Sequence, residues 1–297
     1  MELKYLNTVK TILETGSFQN AARRLNYTQS TVTFQIQQLE QELNVKLFEK
    51  IGRKMVMTQA CKDIMPYIET ILDTACRLSN YGKSAGELTG TLKVGFPESL
   101  LVYKMPAVLE RFRKAAPNVQ LSLQVANCYR INEAIAKGEL DVGIHYTIQP
   151  NPAIVTEKIL SYSVVPVAAP GLSKKEQDFI QPNQLKETSL IYSDVDCVYE
   201  ELFNEYLNSK RIKMNGRILI QSIEAIKLCV MSNIGVAFLP RFTVKKELAE
   251  QKLQEIKTDM KEPEIFSMIS YHKNKWISPA MELFIRMTKE CLCEEEL

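Results

Sequence analysis

The sequence predicts an α/β protein in three parts: a helical N-terminal module, one long helix, and a C-terminal region in which strands and helices alternate. Three patterns carry this prediction. Apolar residues recur at helical spacing through residues 3–43, an apolar seam with +3 and +4 steps runs along residues 59–84, and short β-rich runs alternate with helical segments after Gly90. With 297 residues, the chain is long enough for two or three domains that each bury a core.

Residues 17–43 predict two short amphipathic helices joined by a tight polar turn. Ser17 is a suitable N-cap for the first helix, and Thr28 or Ser30 is suitable for the second. The small pair Ala21-Ala22 would let the two helices cross closely, as they do in a helix-turn-helix. Any αα-hairpin could show this periodicity, so the spacing alone leaves DNA binding open.

The segments on either side of this pair favour a DNA-binding module. A helix is predicted over residues 3–14, and residues 47–58 predict two short strands around a basic turn, which would form a wing. Residues 1–60 carry eight basic and five acidic side chains, a net charge of +3, whereas the whole chain has a net charge of +2. A basic module on a nearly neutral body is expected where one end of a chain meets phosphate, although a solvated surface would also explain it.

This N-terminal block resembles the winged helix-turn-helix of LysR-type transcriptional regulators. The matching residues are Gly16-Ser17-Phe18, Ala21-Ala22, Leu25, Gln29-Ser30-Thr31-Val32-Thr33, Ile36, Leu39-Glu40, Leu43, Leu47-Phe48 and Thr58. The sequence departs from the family pattern at three positions. Lys50 replaces the usual Arg, Phe34 stands where a polar or basic residue is common, and Cys61 replaces the usual Gly after the wing. The resemblance implies binding to double-stranded DNA at an inverted-repeat operator.

The predicted DNA contacts come from the turn, the second helix of the pair and the wing. Short polar side chains in the first turn of that helix suit base edges and phosphate oxygens, and Gln29, Ser30 and Thr33 are expected to face the major groove. Arg53 and Lys54 of the wing are expected to contact the DNA backbone. The full predicted set is Arg23, Thr28, Gln29, Ser30, Thr31, Thr33, Gln35, Arg53 and Lys54.

Residues 59–84 predict one long helix that is bent at Pro66. Its apolar seam could pack against a partner helix or against the rest of the same chain. The resemblance favours dimerisation, since LysR-type proteins dimerise through such a helix, and it implies pairs of dimers and RNA polymerase as a further partner. The predicted dimerisation residues are Ile64, Ile68, Ile71, Ala75 and Leu78. The expected domains are a DNA-binding domain over 1–58, a linker helix over 59–86 and an effector-binding domain over 87–297.

After Gly90, predicted helices join predicted strands at 92–96, 119–125, 141–144, 164–169, 190–192, 218–220 and 235–240. This order indicates parallel α/β sheets, in which ligands bind at the carboxyl ends of the strands. Three short segments, at residues 90–95, 138–144 and 232–240, also resemble the effector-binding half of the same family. That half has the two-lobed fold of periplasmic solute-binding proteins. The resemblance implies a lobe I over about 90–161 and 267–297, and a lobe II over about 162–266.

Polar residues that follow the predicted strands are the candidates for a ligand site. Ser99 and Ser222 lie where helices begin, so a hydroxyl and free amides could hold a ligand anion, whereas Glu98 argues against a highly charged anion. Both serines could equally be ordinary helix caps. The predicted effector-binding residues are Glu98, Ser99, Leu100, Asn127, Cys128, His145, Tyr146, Tyr192, Ser193, Cys197, Ser222 and Ile223. The expected ligand is a carboxylate-like or polar small-molecule effector, and no cofactor is expected.

The sequence disfavours enzymes, metalloproteins and exported proteins. The two histidines, His145 and His272, lack a catalytic motif, and Cys291-x-Cys293 lacks the second pair of a zinc site. The sequence contains no run of about 18 apolar residues, so no membrane span is predicted. The N-terminus lacks the apolar core of a signal peptide, so a cytoplasmic protein without a membrane partner is expected.

The resulting prediction is a non-enzymatic regulator of the LysR type whose DNA affinity or DNA bending responds to a small molecule. One alternative is a redox-sensing regulator that uses Cys128 and Cys197, because a helix that begins at Cys197 would favour its thiolate. A solute-binding or enzymatic α/β protein is a further alternative.

Overall fold

The computed structural model describes residues 1–51, 54–80, 82–194, 196–261 and 263–294, without the side chains of Lys54 and Arg77. The chain divides into two compact units, Met1–Lys83 and Ser84–Leu297. The first unit is helical with one small hairpin, and the second contains the large sheets.

The N-terminal unit consists of α1 (Leu3–Thr15), α2 (Phe18–Leu25), α3 (Gln29–Leu43), the antiparallel hairpin strands β1 (Phe48–Ile51) and β2 (Lys54–Met57), and α4 (Gln59–Ser79). Side-chain caps set where two of these helices begin. Ser17 Oγ accepts a hydrogen bond from the Asn20 N–H at 3.1 Å, and Thr28 Oγ1 accepts one from the Thr31 N–H at 3.1 Å. Both bonds satisfy amides that have no partner inside the helix. Of the two predicted caps for α3, Thr28 is the one that the structure uses.

The helices α1, α2 and α3 share one apolar core. Ala21 and Ala22 are both buried, so α2 can approach its neighbours closely, as predicted. The apolar residues that complete the centre of this core are Leu6, Val9, Val32, Ile36 and Leu39.

The helix α4 is shorter than predicted. It ends at Ser79 rather than at Ser84. Gly82, just beyond it, adopts a left-handed conformation with a φ of 74°. Glycine takes this conformation without a steric cost, and it commonly follows the end of a helix.

The apolar seam of α4 is used largely inside the N-terminal unit. Ile68 is only 3% exposed, and Ile64 and Ile71 pack with it against the core of α1 to α3. The prediction that Ile68 lies open to a partner helix is therefore wrong, because the core of its own unit already buries it. Ala75 is half-buried, and Leu78 at the end of the seam is 75% exposed.

The C-terminal unit follows the predicted alternation closely. After a single 3-10 turn at Ala85–Glu87, its elements in chain order are β3 (Gly90–Phe96), α5 (Glu98–Tyr103), α6 (Met105–Ala115), β4 (Val119–Val125), α7 (Cys128–Ala136), β5 (Val142–Tyr146), β6 (Ile154–Ala168), α8 (Lys174–Gln177), β7 (Leu185–Tyr192), α9 (Val198–Ser209), β8 (Lys213–Leu219), α10 (Ile223–Met231), β9 (Gly235–Pro240), α11 (Arg241–Ala249), β10 (Gln254–Glu255), β11 (Glu264–His272) and α12 (Pro279–Glu294).

Two long antiparallel strands connect two sheets in this unit. β6 pairs with β11 up to Ser163 and with β9 from Val164 onward. The strand order is β4-β3-β5-β11-β6-β9-β7-β8, with β10 beside β6. We call the half around β4-β3-β5-β11 lobe I and the half around β9-β7-β8 lobe II.

Both sheets are mixed rather than wholly parallel as predicted. β3 is parallel to β4 and β5, and β7 is parallel to β8 and β9. The antiparallel pairs all involve β6 or β11, the two strands that pass between the lobes in opposite directions. The C-terminal helix α12 packs on α6 of lobe I, where the Phe112 and Phe284 rings meet edge to face at 5.4 Å.

Candidate nucleic-acid interface and ligand cleft

The outer face of α3 is exposed and, apart from Phe34, polar between residues 29 and 41, whereas its inner face is buried. Val32, Ile36 and Leu39 anchor the helix in the core, so the residues on the opposite side face outward. Gln29 and Ser30 in the first turn are exposed. This arrangement leaves the start of α3 free to enter a groove of DNA.

Several of the predicted DNA contacts have structural roles as well. Thr28 Oγ1 lies 2.8 Å from both Ser30 Oγ and Thr31 Oγ1, and Thr33 Oγ1 donates to the Gln29 carbonyl at 2.9 Å. These bonds order the first turn of α3, and among the described polar side chains of that turn, that of Gln29 has no hydrogen bond. Arg23 is exposed in the last turn of α2.

Gln35 does not belong to the DNA-binding surface. It is 4% exposed, and its Oε1 accepts a hydrogen bond from Thr8 Oγ1 at 2.6 Å. The side chain therefore ties α3 to α1, contrary to the predicted DNA contact. Arg53 lies outside the described residues, and so does the side chain of Lys54.

A buried carboxylate that the sequence analysis did not single out holds the hairpin against α3. Glu40 is 7% exposed. Its Oε1 accepts hydrogen bonds from the Leu47 and Phe48 amides at 2.8 and 3.2 Å, and its Oε2 pairs with Lys46 at 2.7 Å. Thr58 Oγ1 donates to the Lys46 carbonyl at 2.6 Å, at the same open end of the hairpin. These bonds orient the hairpin relative to α3.

A cavity of about 470 Å³ lies between lobe I and lobe II. Its walls come from the residues after β3, the start of α7, the residues after β7 and the start of α9. Eight predicted effector-binding residues line it: Glu98, Ser99, Asn127, Cys128, Tyr146, Ser193, Cys197 and Ile223. The strand-end rule therefore selected residues that line one cavity, and effector binding there stays a prediction.

Glu98 of lobe I occupies the N-terminus of α10 in lobe II. Its Oε2 accepts a hydrogen bond from the Ile223 N–H at 2.8 Å, and its Oε1 accepts one from Ser222 Oγ at 3.1 Å. A helix N-terminus attracts anions because its first amides are free and its dipole is positive there. The position predicted for a ligand anion is thus taken by a carboxylate of the protein, and Ser222 does not line the cavity.

The other predicted serine is also satisfied within the protein. Ser99 Oγ lies 2.7 Å from the Tyr146 hydroxyl, and both residues are 1% exposed. Asn127 also links the two lobes. Its Oδ1 accepts from the Arg130 N–H at 2.8 Å and caps α7, while its Nδ2 donates to Asp194 Oδ2 at 3.0 Å.

The charged lining of the cavity is mostly acidic. Asp194 and Asp196 line it together with Glu98, whereas Arg130 supplies the one basic side chain among the described lining residues. The sequence analysis did not select either aspartate. Both lie within four residues after Tyr192, the end of β7, so the same strand-end rule would have found them.

Three further predicted residues do not line the cavity. Leu100 is fully buried in the core of lobe I. His145 is 1% exposed, its Nδ1 donates to the Tyr146 carbonyl at 2.7 Å, and burial lowers its pKa. Tyr192 stacks under the Arg217 guanidinium, 4.8 Å from its ring centroid. These residues support the walls rather than face a ligand.

The cysteines of the cavity are held as thiols. Burial raises the pKa of both Cys128 and Cys197 to about 12. A thiolate is the reactive form of cysteine, so these environments disfavour reaction with peroxide or disulfides. Within the described ranges, no group of three or more His, Cys, Asp or Glu side chains could hold a metal ion. No described helix combines the length and the apolar character that crossing a membrane requires.

Comparison with known proteins agrees with both halves of the fold. Residues 3–62 match the model of the bacterial regulatory helix-turn-helix protein of the lysR family, and residues 85–292 match the LysR substrate binding domain. The HTH-type transcriptional regulator YfiE of Escherichia coli is 42% identical over 290 residues, which cover 98% of this chain and 98% of that protein.

Two solved structures show the same fold at low sequence identity. A mutant of OxyR from Corynebacterium glutamicum has a TM-score of 0.72 at 20% identity, covering 99% of this chain and 93% of that one. Full-length CbnR, solved in complex with its target DNA, has a TM-score of 0.60 at 18% identity, covering 98% of this chain and 100% of that one. Together with the family models and the relative in E. coli, these likenesses show that the chain belongs to the LysR family of DNA-binding transcriptional regulators.

Proposed function

We propose that this regulator reads its operator through the first turn of α3. Gln29 is exposed there, and the cap formed by Thr28 orders the turn around it. An amide side chain can donate to and accept from one adenine edge in the major groove, which discriminates against other bases by about 1–3 kcal/mol. The complex of CbnR with its target DNA supports this use of the fold.

Binding of full-length protein to duplexes selected from a randomised library tests this role for Gln29. Gln29→Ala should weaken binding to the selected duplex by about 1–3 kcal/mol and leave binding to unrelated DNA nearly unchanged. Gln41→Ala is the matched control, since Gln41 is exposed three turns further along the same helix. An equal loss on selected and unrelated DNA would remove Gln29 from base reading.

The proposed dimer interface on α4 is narrower than the predicted seam. Ile64, Ile68 and Ile71 pack inward, whereas Tyr67 is 70% exposed and Leu78 is 75% exposed. Tyr67 and Leu78 lie eleven residues apart, which places them on one face of the helix. This exposed apolar pair supports association of two α4 helices along that face. Pairing of dimers, a cytoplasmic location and contact with RNA polymerase stay predictions.

We propose a polar effector with a positively charged group as the ligand of the cavity. The acidic lining supports a cation, and the helix N-terminus predicted to hold a carboxylate already holds Glu98. A free ammonium could sit among Glu98, Asp194 and Asp196 with favourable charge. A carboxylic acid alone would have to displace Glu98 from the Ile223 amide.

A thermal-shift panel on full-length protein tests the charge of the effector. The panel contains matched triplets: an amino acid, the amine that lacks its carboxylate, and the acid that lacks its ammonium. Bound ligand raises the melting temperature by mass action, so at least one triplet should show a rise with the amino acid or the amine and none with the acid. A rise with the acids alone would contradict the proposed charge.

Redox sensing by Cys128 and Cys197 is the weaker proposal. The likeness to OxyR is one of fold, at 20% identity. The raised pKa values of both thiols oppose it, since a sensor cysteine needs an accessible thiolate.

A further inference from the structure

An aromatic side chain stands at the centre of the outer face of α3. Phe34 is 55% exposed, although the opposite side of the same helix is fully buried. Ser30, Phe34, Gln37 and Gln41 recur at i, i+4, i+7 and i+11, and all four are exposed. They therefore form one stripe along the helix, and Phe34 is its only apolar member.

The surroundings of Phe34 suit the major groove of DNA. No charged residue occurs between Gln29 and Leu39, so this part of α3 brings no carboxylate near phosphates. Ser30 and Gln37, on either side of Phe34 along the stripe, can hydrogen-bond to base edges. More than half of the Phe34 side chain remains exposed to solvent in this structure.

The major groove offers one apolar group that a phenyl ring can cover. This group is the C5-methyl of thymine, which lies beside the hydrogen-bond donors and acceptors of the base edges. A phenyl ring placed on those polar groups would remove their water without replacing the hydrogen bonds, which is unfavourable. A ring at this position thus favours thymine over the other three bases.

We infer that Phe34 is a specificity-determining residue that contacts a thymine methyl in each half of the operator. This inference rests on the proposed entry of α3 into the major groove. It adds to that function a preference for thymine, which follows from the apolar contact between the Phe34 ring and the thymine C5-methyl.

Replacing thymine by uracil isolates the methyl group, because uracil keeps every hydrogen-bonding group of thymine. Full-length protein first selects duplexes from a randomised library, and each thymine of the selected motif is then replaced in turn. At one thymine per half-site, the replacement should weaken binding about fourfold, the effect of burying one methyl-sized group (~0.8 kcal/mol, where tenfold is about 1.4 kcal/mol).

Variants at Phe34 link this methyl effect to the ring. Phe34→Ala should bind thymine and uracil duplexes equally, whereas Phe34→Leu should keep a preference for thymine because Leu retains an apolar contact. Both variants should fold, since Phe34 is exposed. Circular dichroism and binding to unrelated DNA check this.

The outcomes separate the inference from the function beneath it. The inference is overturned if replacing thymine by uracil weakens binding at no position of the selected motif in a way that depends on Phe34. In that case DNA reading by α3 remains intact. A library that yields no motif overturns both. A uracil effect of the same size in wild type and Phe34→Ala assigns the methyl contact to another residue and also overturns the inference.

Discussion

Replacing Glu200 by Gln tests whether a buried carboxyl in α9 lowers the stability of the C-terminal unit at alkaline pH. Glu200 is 1% exposed, and neither carboxyl oxygen has a hydrogen-bond partner among the residues that the structure describes. Burial raises the pKa of Glu200 from 4.5 to about 8, while the Arg217 guanidinium acts in the opposite direction. The folded state therefore has the higher pKa, so deprotonation favours unfolding and stability falls as the pH rises from 4.5 through 8.

The size of this effect follows from the shift. Each pKa unit corresponds to about 1.4 kcal/mol, so the buried carboxylate costs roughly 5 kcal/mol well above pH 8. Most of this cost is already present at pH 7, and about 1 kcal/mol more accrues between pH 7 and pH 9. Glu200→Gln cannot ionise and should lose this part of the pH dependence.

Urea unfolding followed by Trp276 fluorescence measures this difference, because Trp276 is the single tryptophan and lies in the C-terminal unit. Between pH 7 and pH 9, wild type should lose about 1 kcal/mol more than Glu200→Gln. Glu201→Gln is the control, since Glu201 is its exposed neighbour on α9 and should keep the wild-type pH dependence. Equal pH dependence in Glu200→Gln and wild type would refute the assignment of the cost to this carboxyl.

Other perturbations separate core packing from assembly. Ile68→Asp should destabilise the N-terminal unit by more than about 3 kcal/mol by circular dichroism, because Ile68 is 3% exposed. Leu78→Asp should keep the fold and shift the oligomer to monomer by light scattering, and an unchanged oligomer would move the interface off this residue. Gly235→Ala should destabilise the C-terminal unit by about 1–3 kcal/mol, since a Cβ there would lie 2.5 Å from the Ser189 carbonyl oxygen. Gly171→Ala, where a Cβ meets nothing within 4 Å, should change little, and equal effects of the two would contradict the packing argument.

Local signals in the sequence predicted the helix starts well. Ser17 and Thr28 act as caps because their hydroxyls reach amides only three residues away. The end of α4 was predicted too late, since an apolar pattern does not show that Gly82 takes a left-handed conformation. The strand β11 was missed because its role depends on pairing with β6 far along the chain.

Contacts between distant residues account for the differences at the candidate sites. Glutamine is a residue type usually found at the surface, and only the position of Thr8 on α1 shows that Gln35 is buried. The spacing of Ile68 is compatible with packing against a partner helix and with packing in the core of its own unit, so the sequence alone does not distinguish the two. The bond between Glu98 and Ile223 joins residues 125 positions apart, and no local pattern at either residue predicts it.

We propose, as the sequence predicts, that effector binding in the cavity changes DNA affinity, and blocking the cavity tests this claim most directly. Leu219 lines the cavity and is 49% exposed, so Leu219→Trp should fill the cleft without disturbing the core. Leu185→Trp is the matched control, because Leu185 is 67% exposed and is not among the cavity-lining residues. The measurement is the affinity of full-length protein for the selected duplex, with and without the ligand that raises the melting temperature most in the panel. The ligand should change this affinity by about fivefold or more in wild type and Leu185→Trp, and it should have no effect in Leu219→Trp. A ligand effect of wild-type size in a folded Leu219→Trp variant, or none in wild type, would contradict the claim.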